Sequence, residues 1–238
     1  MDKMLPKGIL FDLDDTIIAY SEISKPIWKQ VCNEFSMEND KLEPGLLYET
    51  IKTISRWYWS DTERHRVGRS DLNQARREVM EMVFEKLDVD DIALAHKIGE
   101  TFQSKREEEL HLFKGAKETI EYMYKSNVAL AMMTNGEKKI QRAKIERFGL
   151  EKYFKVILIE GEQGFGKPDE RVYIKALEGL KLGPEECWAI GDNLEWDVGG
   201  AQKLGIFGVW NDYEKKGLPE DSLVAPDRII NSIRELME

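Results

Sequence analysis

The apolar run Ile9-Leu10-Phe11 leads straight into Asp12-Leu13-Asp14-Asp15-Thr16. Three carboxylates at the carboxyl end of a buried strand are costly. Like charges this close raise one another's pKa unless a cation neutralises them. A second acidic segment follows another apolar run and reads Gly191-Asp192-Asn193-Leu194-Glu195-Trp196-Asp197. If the two runs are neighbouring strands, Asp12 and Asp192 converge on one point. Oxygen ligands without histidine or cysteine beside them suit Mg²⁺. Asp197 has two readings: a water-mediated metal contact, or a carboxylate facing the positive end of a helix.

Two other segments are suited to an anion. Thr134-Asn135-Gly136 places a hydroxyl, an amide and a permissive glycine at a strand-to-helix turn, which makes a phosphate cradle. Gly164-Phe165-Gly166-Lys167-Pro168 fixes one lysine in a glycine-rich loop ahead of a helix. There it can point a single cation into a site.

These side chains need a scaffold that brings them together. Short apolar runs recur at Gly8 to Phe11, Val128 to Met133, Val156 to Ile159, Cys187 to Ile190 and Ile206 to Trp210. Continuous runs of this length suit parallel strands buried on both faces. Between them the spacing turns helical, as with Val172, Ala176, Leu177 and Leu180. The alternation predicts an α/β fold, a Rossmann-like parallel sheet of five strands. In such sheets ligands bind just outside the carboxyl ends of the strands, where Asp12 and Asp192 fall.

The rhythm breaks between Glu22 and His111. Ile23, Ile27, Val31 and Phe35 form one helical stripe. Leu72, Ala75, Val79 and Met82 form a second, after the cap-like pair Asp71 and Gln74, and Ile92, Ala95 and Phe102 form a third. Residues 21–111 therefore read as an inserted α-helical cap, and residues 1–20 and 112–238 as the α/β core. A final helix is expected from about Pro226.

With 42% hydrophobic and 10% aromatic residues among 238, the chain is not predominantly disordered. Its 35 basic and 45 acidic residues give a net charge of −10, which argues against a nucleic acid polymer as partner. Cys32 and Cys187 stand in no metal-ligand spacing, and two distant cysteines fit a reducing compartment. Asp12, Asp14 and Asp15 interrupt any apolar leader, and no apolar run is long enough to span a membrane. The expectation is a cytoplasmic protein, monomer or homodimer, with no membrane partner.

Taken together, the four polar segments resemble the motifs of the haloacid dehalogenase superfamily, in the family's order and across nearly the whole chain. Asp12-Leu13-Asp14-Asp15-Thr16 resembles its DxDxT motif, Thr134-Asn135 its second motif, Lys167-Pro168 its third, and Gly191-Asp192 with Asp197 its GDxxxxD motif. The helical insertion resembles the family's C1 cap. Thr134 to Gly136, Gln141 to Glu146, Gly161 to Gln163 and Gly191 to Asp197 are similar to the N-acylneuraminate-9-phosphatase and pyrimidine 5′-nucleotidase branch.

The resemblance implies roles. Asp12 is the expected nucleophile and Asp14 the expected acid and base. Mg²⁺ is expected on the carboxylates of Asp12 and Asp192 and the backbone carbonyl of Asp14. Thr134, Asn135 and Lys167 are expected to hold phosphate oxygens, with Lys167 counted among the catalytic residues. Haloacid dehalogenases of this superfamily lack the second aspartate of the first motif, so Asp14 favours hydrolysis of a phosphomonoester. The substrate expected is a small phosphorylated metabolite, a sugar phosphate or a nucleotide. The rivals are a phosphosugar mutase, a 2-haloacid dehalogenase and a phosphate-binding module without activity.

The cap is expected to choose the substrate. Arg56-Trp57-Tyr58-Trp59 is followed by Arg64-His65-Arg66 and Arg69, a local basic patch in an acidic chain. Arg64, His65, Arg66 and Arg69 have two readings: residues that meet the substrate, or a solvated loop beside core aromatics.

Overall fold

The computed structural model describes residues 5–39 and 42–237. The chain divides into two compact units, 1–19 with 111–238 and 20–110.

In the first unit, β1 (Gly8–Phe11) is followed by the short β2 (Ile18–Ala19). The helices α1 (Ser21–Glu38), α2 (Pro44–Ser60), α3 (Thr62–Gly68), α4 (Leu72–Lys86) and α5 (Ile92–Glu109) make up the second unit. The chain re-enters the first at β3 (His111–Leu112), which pairs antiparallel with β2. Then come α6 (Ala116–Lys125), β4 (Ala129–Thr134), α7 (Lys138–Arg147), β5 (Val156–Ile159), α8 (Glu160–Gln163), α9 (Glu170–Leu180), β6 (Cys187–Gly191), β7 (Phe207–Asn211) and β8 (Arg228–Ile230).

The large sheet is parallel throughout, in the order β5-β4-β1-β6-β7-β8. It runs outward from β1 in both directions, which is the doubly wound arrangement. The register sets Phe11 opposite Met132 on one side and Ile190 on the other. Residues just beyond these three therefore share one edge of the sheet, at the point where the winding reverses. Burial drives the layering: Leu10, Ala131, Leu158 and Ala189 pack beneath Val172, Tyr173, Ala176 and Leu180 of α9. Cys187 sits in that core, and both cysteines are buried and free.

The sheet has six strands, one more than the apolar runs predict. The extra strand, β8, has only three residues and begins with an arginine, too short a run to register. Where a helix is expected from Pro226, the chain is extended instead. Exposure alternates with period two, Ile229 outward and Ile230 buried, as a strand at the sheet edge requires. The segment's helical spacing is used only afterwards, by a 3₁₀ turn at Ile233–Met237 that buries Ile233 and Leu236.

In the helical unit, Ile23, Ile27, Val31 and Phe35 are all buried on α1. The Asp71 side chain accepts from the Gln74 backbone N–H at 3.0 Å and caps α4. Ile92, expected in the third stripe, is exposed, whereas Ala95 and Phe102 are buried. Among the described residues no helix is long and apolar enough to cross a membrane.

Candidate active site

Asp12 continues β1, and its backbone N–H donates to the Ile190 carbonyl of β6 at 2.9 Å. That bond fixes the strand end, so the side chain emerges between β4 and β6. Its Oδ1 accepts from Lys167 Nζ at 2.5 Å. The same ammonium donates to Asp197 Oδ1 at 2.5 Å. All three side chains are buried. Asp12, Asp192 and Asp197 each bring one carboxylate oxygen within 4.8 Å of the others'.

The electrostatics follow from counting charges. Burial, then the Asp197 and Asp14 charges, push Asp12 up to about 7, against the pull of Lys167. Burial raises Asp192 too, with Asp12, Asp197 and Asp15 adding to the effect. Burial alone would lower Lys167, but the charges of Asp12 and Asp197 overrule it and keep the ammonium protonated. Three clustered carboxylates against one ammonium leave negative charge in excess.

That excess is what a divalent cation needs. Asp12 Oδ2 is buried and has no hydrogen-bond partner. An orphaned carboxylate oxygen at the centre of an all-oxygen acidic cluster fits a Mg²⁺ ligand set. Asp12 and Asp192 are the carboxylates available to it. Asp197 has both oxygens in use: Oδ1 holds Lys167, and Oδ2 accepts from the Asn193 backbone N–H at 2.9 Å. Its seat requires glycine at 191, because a Cβ there would collide with the Asp197 carboxyl group. Tyr173, fully buried on α9, donates its hydroxyl to the Trp196 carbonyl and steadies the same turn.

Asn135 serves Lys167. Its Oδ1 accepts from the Lys167 backbone N–H at 2.8 Å, and its Nδ2 donates to the Lys167 carbonyl at 2.7 Å. Both polar atoms of the side chain expected on phosphate are thus committed to the lysine loop. Thr134, at the end of β4, is buried, and its Oγ1 accepts from Gln141 Nε2 at 2.5 Å.

Asp14 has company that sequence reasoning missed. Lys144 Nζ donates to both its carboxylate oxygens, at 2.8 and 2.7 Å, and Gln141 Nε2 donates to Oδ2 at 2.9 Å. Lys144 and Gln141 stand three apart on α7 and are both buried. That spacing puts them on one helix face, and both fall in the Gln141 to Glu146 segment that carries part of the family resemblance.

A profile of haloacid dehalogenase-like hydrolases matches residues 9–210, a range that contains every site residue just described. The chain belongs to this family. Its curated relatives include phosphatases. A phosphoserine phosphatase from Thermus thermophilus is 43% identical over 110 residues, 46% of this chain and 43% of that one. An N-acylneuraminate-9-phosphatase from Rattus norvegicus is 33% identical over 113 residues, 47% of this chain and 45% of that one. In both cases the match spans less than half of the relative. A pyrimidine 5′-nucleotidase from Escherichia coli matches at full length, 24% identical over 96% of this chain and 95% of its own. Among solved structures, a hydrolase of the same family from Bacillus subtilis, bound to magnesium, has a TM-score of 0.71 at 23% identity and covers 96% of each chain. The resemblance to the N-acylneuraminate-9-phosphatase and nucleotidase branch is present among these relatives.

The cap residues expected to meet substrate part company in the helical unit. The Arg64 guanidinium donates to the carbonyls of Tyr58 and Trp57 at 3.2 and 3.1 Å and stacks on the Trp57 ring at 3.9 Å. Arg66 pairs with exposed Glu63 at 2.5 Å. Local partners account for both, as a solvated helix end requires. His65 and Arg69 instead line a cavity of about 490 Å³ within the unit.

Proposed function

We infer that the chain is a Mg²⁺-dependent phosphomonoesterase that works through an aspartyl phosphate on Asp12. The observation that carries this reading is the Asp12–Lys167–Asp197 triad, with Asp12 Oδ2 left without a partner beside Asp192. Asp12, Asp192 and the backbone carbonyl of Asp14 would hold Mg²⁺, which would supply the charge neutralisation that an anionic nucleophile needs to approach an anionic phosphate.

Asp12 attacks phosphorus, and the bond from phosphorus to the ester oxygen breaks. Asp14 gives the departing oxygen its proton, so that an alcohol leaves. In the second half Asp14 takes a proton from water. The water oxygen bonds to phosphorus, the bond to Asp12 breaks, and inorganic phosphate departs. Lys167 places a fixed positive charge at Asp12 through both halves, and Asn135 and Asp197 keep that charge in position. An alkoxide must be protonated as it leaves and a halide need not be, so an acid at Asp14 favours esters over halides.

The substrate class is a small phosphorylated metabolite, a sugar phosphate or nucleotide, and not a nucleic acid polymer or a membrane component. A cytoplasmic setting and a monomer or homodimer complete the reading. The residues 21–111 act as the substrate-selecting cap of a core formed by 1–20 and 112–238.

The test is release of inorganic phosphate from a panel of nucleotides and sugar phosphates, with Mg²⁺ and with chelator. Turnover with Mg²⁺ that disappears in chelator and in folded Asp12→Asn supports the reading. Turnover by folded Asp12→Asn near the parent rate overturns it.

A further inference from the structure

The cavity in the helical unit has an unusual charge balance. The chain carries ten more acidic than basic residues, yet Arg69, Arg76, Arg106 and His65 line this space, and no aspartate or glutamate does. Two of the arginines converge on one neutral atom. Arg76 and Arg106 donate to Oε1 of Gln103 at 2.6 and 2.7 Å. Among the described residues neither guanidinium has a carboxylate within 4.0 Å. The Gln103 amide in turn donates through Nε2 to Glu107.

These arginines are built in, not splayed on the surface. Arg106 is only 8% exposed, with its guanidinium over the Tyr20 and Phe102 rings at 4.1 and 5.0 Å. The stem of Arg76 lies against Gly99 of α5, where a Cβ would press on its Cγ at 3.2 Å. Burial, and then the charge of Arg106, lower Arg76 to about 10, against the opposing pull of Tyr20, Glu107 and Glu100. Two like charges on one amide oxygen are poorly compensated, and an anion between them would relieve the repulsion and accept both forks.

The walls add an apolar requirement. Trp28 and Phe102 stack with centroids 3.8 Å apart and planes 7° from parallel, and Trp59 also borders the space. The volume of about 490 Å³ is that of a small-molecule site.

We propose that this cavity is an anion-recognition site that takes a carboxylate or phosphate group carried on a planar or apolar body, with Arg76 and Arg106 as the anion's ligands. The anion is a separate small molecule, so the proposal does not depend on the function proposed above.

The experiment titrates benzoate against tryptophan fluorescence, since Trp28 and Trp59 border the site. A fluorescence change whose affinity falls at least tenfold in both Arg76→Met and Arg106→Met supports the proposal. Arg76→Lys and Arg106→Lys keep the charge but lose the fork, and serve if a methionine variant fails to fold. No benzoate response, or a response untouched by all the substitutions, overturns the proposal.

Discussion

Lys144 grips both carboxylate oxygens of Asp14, at 2.8 and 2.7 Å, from the buried face of α7. Asp14 is therefore aimed by an element far along the chain, and its geometry depends on how α7 packs.

Lys144→Met should remove that aim while leaving Asp12, Lys167 and Asp197 in place. A positioned acid contributes about 10²–10⁴-fold to a rate, so the loss expected in kcat is a substantial part of that, roughly 10–100-fold. KM should move much less, because the contacts of Lys144 described above are with Asp14. Lys144→Arg should recover part of kcat, since it restores a donor to the same carboxylate. Steady-state kinetics on one phosphomonoester decide it, and a change confined to KM would show that Lys144 acts in binding.

The acidic cluster makes a prediction about pH. Asp12 has a folded pKa near 7, above the usual value of 3.8. The folded state therefore holds this proton more tightly than the unfolded state does. Its contribution to stability is complete below about pH 4 and is lost as pH rises through 7. In chelator the protein should accordingly be less stable at pH 8 than at pH 5. Asp12→Asn removes the charge and should recover on the order of 2 kcal/mol at pH 8, and little at pH 4. Mg²⁺ should raise the melting temperature of the parent protein more than that of the variant. Thermal melts across this range read the effect, and an Asp12→Asn that melts lower than the parent at pH 8 in chelator would refute it.

How far these arrangements were legible in the sequence depends on burial. Asp12 and Asp192 stood out because each follows a continuous apolar run, and carboxylates at buried strand ends carry a cost that demands a reason. Their convergence needed only that β1 and β6 be neighbours, which doubly wound sheets commonly provide. Lys144 gave no such signal, because lysines on a polar helix read as solvated, and only the packed α7 buries this one. Arg76 and Arg106 were hidden in the same way. Arg64 and Arg66 drew attention by clustering with aromatics, yet local carbonyls and Glu63 satisfy them. β8 was missed because three residues hold too little apolar pattern to outweigh the helical spacing around them.

Gly191 tests how the triad is seated. A methyl group at 191 would meet the Asp197 carboxyl group, which is packed between Lys167 and the Asn193 backbone N–H. Gly191→Ala should force Asp197 aside and loosen the second partner of Lys167. Overpacking of this kind costs about 1–3 kcal/mol, and the buried ion pair adds to the loss. The expected result is a lower denaturation midpoint together with a lower kcat. An alanine variant of unchanged stability would mean that the turn at Leu194–Gly199 can shift without cost.

Asp14→Asn separates the two halves of the proposed reaction by choice of leaving group. An alkyl phosphate expels an alkoxide that needs a proton in the transition state, so losing the acid should cost about 10²–10⁴-fold in kcat. p-Nitrophenolate is a stable anion and leaves without one. The first half-reaction with p-nitrophenyl phosphate should therefore survive, provided asparagine leaves the Asp12 site intact. The second half still needs Asp14 to take a proton from water, so the phosphorylated Asp12 should accumulate. Rapid mixing should show a burst of p-nitrophenol approaching one equivalent per enzyme, followed by a slow phase, with the phosphate label retained on the protein. Equal losses on alkyl and aryl esters with no burst would assign Asp14 to structure and return the search for the acid to the rest of the site.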